Sequence, residues 1–189
     1  FFYPEQGIAT VNEVAAPVDR PVVFKLTSSN TMNAFYVPDF AGMIYTMPGM
    51  QTELNGVINK PGVYGGKSSH YSGAGFAGMT FKMHGLENDQ FDQWIAKAKT
   101  EGKALTRDAY LDLVKHSERN PVERFSTVDE GLYNKVLSRC VEDGKMCNGA
   151  GQVPLTYLKP FSDFFVTSPV SLLYPEHEEL LDTSYLQLR

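Results

Sequence analysis

Proline and glycine recur throughout the first 86 residues and leave short β-prone runs between them, and this punctuation constrains the fold more than any other feature. Ile8 to Val14 mostly alternates apolar and polar, as a half-buried strand does. Pro21 to Thr27 is rich in β-branched and aromatic residues. Ala34 to Val37 ends at Pro38, and Gly42 to Met47 ends at Pro48-Gly49. Gln51 to Ile58 is followed by the turn Asn59-Lys60-Pro61-Gly62. Val63-Tyr64 leads into a Gly/Ser-rich loop over Gly65 to Gly78, and Met79 to His84 closes the set. Short strands spaced in this way predict a sandwich or barrel.

The pattern then changes to helical spacing. Asn88 is placed to cap a helix over Asp89 to Lys99, with Phe91, Trp94, Ile95 and Ala98 on one face. Thr106 is placed to cap a second, with Tyr110, Leu113 and Val114 inward. Thr127 and Glu130 have the spacing of a capping box for a third, carrying Leu132, Val136, Leu137 and Cys140 and stopping at Gly144. Residues 148–189 are rich in Pro, Phe, Tyr and Leu, too apolar for a solvated tail, so they are expected to lie against their own domain or a neighbour. The organisation expected is residues 1–88 as a β domain, 89–147 as a helical appendage packed on it, and 148–189 as a Pro/aromatic-rich tail.

Composition narrows the function. A net charge of −5, with acids and bases interspersed, leaves no Lys/Arg run to track a phosphate backbone, so no nucleic acid partner is expected. No apolar run approaches the roughly 20 residues of a membrane-spanning helix. The chain opens on Phe1-Phe2-Tyr3-Pro4, without methionine or a signal peptide, which predicts a fragment or a processed product. Cys140 and Cys147 are the only cysteines. They fit a disulfide in an oxidising compartment or two free thiols; the expected place of Cys140 on an apolar helix face favours a buried thiol.

The Gly/Ser-rich loop, Lys67-Ser68-Ser69-His70-Tyr71-Ser72-Gly73-Ala74-Gly75-Phe76-Ala77-Gly78-Met79, has no Walker pattern and no G-x-S-x-G elbow, which argues against phosphate cradling and a hydrolase nucleophile. Its order of residues, together with Tyr3 to Glu13, Met32 to Pro38, Ile44 to Thr52, Phe91-Asp92-Gln93-Trp94 and Val122 to Ser126, resembles subunit II of the haem-copper oxidases, closest to the ubiquinol-oxidising branch. The resemblance runs from Tyr3 to about Cys140. It implies a mainly β fold: a cupredoxin-like Greek-key β-barrel or sandwich over about residues 6–86, followed by a few C-terminal α-helices.

Cytochrome c-oxidising members of that family hold a binuclear copper centre in a loop reading C-x-E-x-C-x-x-x-H-x-x-M, with one further His on an earlier strand. Laid on this sequence, the two Cys positions fall on Ser68 and Ser72, the loop His on Phe76, the early His on Asn33, and the Glu on His70; only Met79 keeps a ligand type. Hydroxyls, an amide and a phenyl ring cannot stand in for thiolates and imidazoles around soft copper. The resemblance therefore implies no catalytic residue, no cofactor and no metal in this domain, with haems and catalytic copper in subunit I. It implies a structural role against subunit I and the other subunits of a proton-moving ubiquinol oxidase. The place implied is the periplasmic face of the bacterial inner membrane, reached through an N-terminal anchor that this sequence lacks.

Two rivals stand beside that reading: a copper-carrying periplasmic cupredoxin using His70 and methionines, and an interaction module unrelated to respiration. Against the first, His70 is read as an ordinary loop histidine, and Met43, Met47, Met50, Met79 and Met83 as core fillers. Trp94 is read as packing, and His84, His116 and His177 have no assigned role.

Overall fold

The computed structural model describes residues 1–147 and the backbone of a short strand at Phe165–Thr167. Three sheets and three α-helices build it. The largest sheet runs β3 (Glu13–Pro17), β9 (Thr80–Leu86), β8 (Gly62–Ser68), β5 (Asn33–Tyr36) and β6 (Ile44–Thr46) in spatial order. β3 and β9 are parallel and the other pairs antiparallel. A second sheet pairs β4 (Pro21–Thr27) with β7 (Thr52–Val57), from Pro21 opposite Val57 to Leu26 opposite Thr52. A third orders β1 (Phe2–Tyr3), β2 (Ile8–Val11), β11 (Glu123–Val128) and β10 (Lys103–Leu105). The fold is mainly β.

Strand periodicity sets the main core. In β4, Val22, Phe24 and Leu26 are fully buried while Pro21, Val23 and Lys25 are half-buried, the period-2 pattern of a strand with one core face. Phe24 packs on Phe35 with ring centroids 4.8 Å apart, and Phe35 stacks on Phe81 at 5.4 Å. Each fully buried side chain of this size contributes roughly 1.5–3 kcal/mol relative to exposure. Helix α1 (Asn88–Glu101) closes one side with Phe91, Ile95 and Ala98, one buried stripe at helical spacing. Trp94 packs beside Tyr3 at 5.5 Å, the packing role read from its spacing. The Tyr3 hydroxyl donates to Ala15 O (3.0 Å) and accepts from Ala15 N–H (2.8 Å). Burial pushes the Tyr3 phenol well above its usual pKa; the bond to Ala15 opposes this and the charge of Glu13 adds to it.

Several local expectations change. The run Ile8 to Val14 is two strands, because Asn12 takes a left-handed conformation (φ 58°) and its side-chain amide donates to Asn120 O at 2.8 Å. That kink sends β2 to one sheet and β3 to another. The Gly/Ser-rich segment is strand as far as Ser68, because β8 pairs with both β5 and β9. Gly66 permits this: a Cβ there would lie 2.2 Å from the Phe81 ring. Helix α1 begins one residue earlier than expected, after Glu87, with no side-chain cap; Asn88 Oδ1 instead accepts from Arg20 at 3.3 Å. Thr106 does cap α2 (Arg107–Val114), accepting from Ala109 N–H.

Residues 89–147 are not purely helical. β10 and β11 join the sheet that contains β1 and β2. Phe2, Leu105, Tyr110, Phe125, Leu132 and Val136 form a second core there. Gly102 lets the end of α1 press on β11, since a Cβ would come within 2.3 Å of Ser126 N. Thr127 lies in β11 opposite Ala104, so the capping box does not form. Helix α3 (Leu132–Leu137) starts from Gly131 in a left-handed conformation and ends at Leu137, short of Cys140 and Gly144. Arg139 (φ 59°) and Gly144 (φ 75°) turn the chain after it.

Candidate functional site

The positions singled out in the loop are brought together by β5, β8 and β9. Ser68 ends β8 opposite Phe35, and its N–H donates to Met79 O at 3.0 Å. The next residue, Ser69, donates to Ala34 O at 3.0 Å. This places the Ser68 hydroxyl against Asn33, the buried first residue of β5, where it donates to Asn33 Oδ1. The same oxygen accepts from Ala34 N–H at 2.8 Å. Both lone-pair directions of that carbonyl are therefore occupied by protein donors. Beyond Ser68 the loop turns through Gly73 (φ 103°) and Gly75 (φ 83°) into a short 3₁₀ turn over Phe76–Gly78. Ser72, exposed, donates to Met79 Sδ at 3.5 Å.

Asn33, Ser68, Ser72 and Met79 all line a cleft of about 460 Å³, as does the segment from Leu113 to Asn120. His70 and Phe76 are not among its lining residues. His70 meets Tyr45 edge-on (6.0 Å between centroids) and Phe76 meets Tyr71 (5.5 Å). Four of the six positions thus converge on the cleft, joined in pairs by hydrogen bonds. As an arrangement of donors the four positions can hold polar groups and water; they present one thioether, from Met79, and neither thiolate nor imidazole, while His116 brings an imidazole among the other residues that line the cleft.

A second polar centre was not legible in the sequence. Glu13, 7% exposed, accepts from the Arg124 guanidinium at 2.9 Å (Nη2) and 3.1 Å (Nε). Arg124 Nη1 also reaches Glu101 at 3.2 Å. His84 Nε2 lies 3.1 Å from the other Glu13 oxygen, within ion-pair distance, though its geometry does not satisfy a directed hydrogen bond. The cluster joins β3, β9, α1 and β11, and so ties the two cores together. Glu13 and Arg124 lie 111 residues apart, so no spacing rule could have paired them.

Family models then decide the assignment. The model of the cytochrome c oxidase subunit II periplasmic domain matches residues 5–85, and that of the COX aromatic-rich motif matches residues 99–144. Ubiquinol oxidase subunit 2 of Acetobacter aceti is 44% identical over 139 residues, 74% of this chain and 45% of that protein. Cytochrome bo(3) ubiquinol oxidase subunit 2 of Pseudomonas aeruginosa is 44% identical over 144 residues, 76% of this chain and 44% of that protein.

The chain belongs to the oxidase subunit II family. Within the family its similarity is to subunit 2 of the bo-type ubiquinol oxidases. This subunit II chain spans less than half the length of those relatives. Among solved structures it is similar to the periplasmic domain of subunit II of cytochrome oxidase from Bradyrhizobium japonicum, at 28% identity and a TM-score of 0.45, covering 48% of this chain and 65% of that one.

Other sequence readings of this subunit II chain change in the structure. Met83 is a core residue, but Met43 (46% exposed), Met50 (51%) and Met79 (36%) lie at the surface and are not core fillers. Cys140 is not on a helix face. It is joined to Cys147 in a disulfide, Cα atoms 4.7 Å apart. The loop so closed is held at its base by Arg107, which donates to Val141 O (2.6 Å) and Asp143 (2.7 Å). So short a loop adds about 2 kcal/mol by chain-entropy reasoning. Alkylation without reductant, read by mass spectrometry, is expected to label neither cysteine; two labelled thiols would refute the pairing. The expectation that residues 148–189 lie against their own domain or a neighbour falls largely outside the described residues, apart from the strand at Phe165–Thr167.

Proposed function

We propose that the chain is the periplasmic part of subunit II of a proton-translocating ubiquinol oxidase in an aerobic respiratory chain, that it holds no binuclear copper centre, and that its role there is structural. The observation that carries this is the Asn33–Ser68 pair. At the positions where the resemblance puts an imidazole and a thiolate, an amide oxygen accepts from a hydroxyl and from Ala34 N–H. A copper ion would have to displace both donors to reach an oxygen that is a poor ligand for it. The residues present do not fit the binuclear group.

Oxygen reduction needs a redox metal or organic cofactor that handles electrons one at a time. On this reading those groups, haems and copper, sit in subunit I, and this chain covers the outer face of the complex. A preceding anchor holds it to the bacterial inner membrane; among the described residues no helix is long and apolar enough to cross one. The alternative of a copper carrier using His70 and methionines has less support, since His70 packs against Tyr45 and is not among the residues that line the cleft with Met79.

The test is made in the assembled oxidase. Replacing Ser68, His70 or Ser72 by Ala is expected to leave quinol oxidation within about twofold of the parent, a change below 0.5 kcal/mol in the barrier. Deleting residues 5–144 is expected to lower the amount of haem-bearing complex recovered. Loss of turnover in His70→Ala, with haems and assembly intact, would give the loop a direct role and overturn the structural reading.

A further inference from the structure

The strand β12 (Phe165–Thr167) gives the C-terminal segment a place. It pairs parallel with β4, with Phe165 opposite Lys25, Val166 opposite Leu26 and Thr167 opposite Thr27. β7 occupies the other side of β4, so β12 is the only partner on this side among the described residues. β12 also passes within 8 Å, Cα to Cα, of β1 and α3, elements of the second core.

An uncovered β4 would be an edge of the kind that recruits other chains. It is seven residues long and carries Val22, Phe24 and Leu26 on its buried face, with one positive charge, Lys25. Natural edges are usually blunted by short length, prolines, bulges, charges or a covering element. Pro21 guards only the first position, where its missing N–H costs no ladder bond. The ladder to β12 covers the opposite end, Lys25 to Thr27. The strand Phe165-Val166-Thr167 is made of β-prone residues, and Pro169, two positions on in the sequence, has no N–H to give a ladder.

We infer that the segment around Phe165–Thr167 is a built-in edge strand that covers Lys25–Thr27 of β4 and keeps that edge from pairing with another chain. The linkage is within one chain, so the local concentration of the covering strand far exceeds that of a competing one, which is how a three-residue ladder suffices. This goes beyond the oxidase reading and does not depend on it, because it rests on strand pairing alone.

Three measurements test it in the full chain. Successive amides of a strand point to opposite sides, so in Val166→Pro/Thr167→Pro one of the two lost N–H groups must face β4. Hydrogen exchange at the amides of Lys25–Thr27 that β7 does not use is expected to speed up at least tenfold, with the rest of β4 and β7 unchanged. Unchanged exchange at those amides would overturn the proposal. The register is tested separately with Lys25→Cys/Phe165→Cys and the control Lys25→Cys/Thr167→Cys. Under mild oxidation the in-register pair is expected to link within one chain several-fold faster. Equal rates would mean that the segment does not sit on β4 in this register and would equally overturn it. Variants that expose the edge are expected to associate as concentration rises, and a strictly monomeric V166P/T167P with fast exchange would contradict the guarding role.

Discussion

Introducing cysteine at positions 68 and 72 and histidine at 33 and 76 is expected to turn a colourless chain into one that takes up copper and absorbs visible light. Two features of the geometry make this a strong expectation. Ser68 and Asn33 already touch, on the adjacent strands β8 and β5, so Ser68→Cys and Asn33→His place a thiolate beside an imidazole without moving the backbone. Ser72 already touches Met79, so Ser72→Cys sets the second thiolate beside the retained thioether. Thiolates supply the soft, charge-donating ligands that hydroxyls lack, and the colour comes with them. Phe76→His is the demanding step. Phe76 packs on Tyr71 and does not line the cleft, so the 3₁₀ turn at Phe76–Gly78 must rotate to deliver the imidazole. The variant with cysteines alone is therefore expected to bind copper more weakly than the fourfold variant. A fourfold variant that folds and takes up no copper would show that the loop positions do not correspond to the copper ligands of the family.

The Arg124→Ala variant is expected to be the most destabilising single change at a polar residue. It leaves the Glu13 carboxylate buried beside His84, without the guanidinium that accounts for most of its contacts. Removing one partner of a buried ion pair costs about 3–5 kcal/mol, because the other charge is left uncompensated. For a chain of this size that corresponds to a fall in melting temperature of roughly 10 °C. Adding Glu13→Gln to Arg124→Ala removes the stranded charge and is expected to recover more than half of the loss. Thermal unfolding of the two single variants and the double variant checks this. If Arg124→Ala alone shifts the midpoint by less than about 2 °C, the cluster does not clamp the two cores.

What could be read from the sequence was what depends on neighbours along the chain. Alternation marked β4, and the spacing of Phe91, Ile95 and Ala98 marked α1 and its buried face. Thr106 was a legible cap because its partner, Ala109, is three residues away. Local signals failed where a distant element outbid them. Thr127 and Glu130 have capping-box spacing, but β10 offers Thr127 a strand partner and the helix starts later. Ile8 to Val14 alternates as one strand, yet Asn12 kinks it so that two sheets share it. At the site, residue order placed Ser68 and Ser72 through the family pattern. That the Asn33 amide is saturated by Ser68 and Ala34 needed β5 and β8 side by side. The Glu13–Arg124 pair had no sequence signal at all, since a lone Glu and a lone Arg on separate strands look like ordinary surface charges.

The proposal is that Asn33 and Ser68, and Ser72 and Met79, hold each other by hydrogen bonds and do not hold metal. Its most direct test is the copper content of the purified chain after loading with excess copper under reducing and oxidising conditions, followed by chelation and desalting. The expected result is copper at the background level of a matched protein and no visible absorption. Stoichiometric copper that survives the chelator would contradict the account, and with a visible band it would restore the copper-carrying alternative.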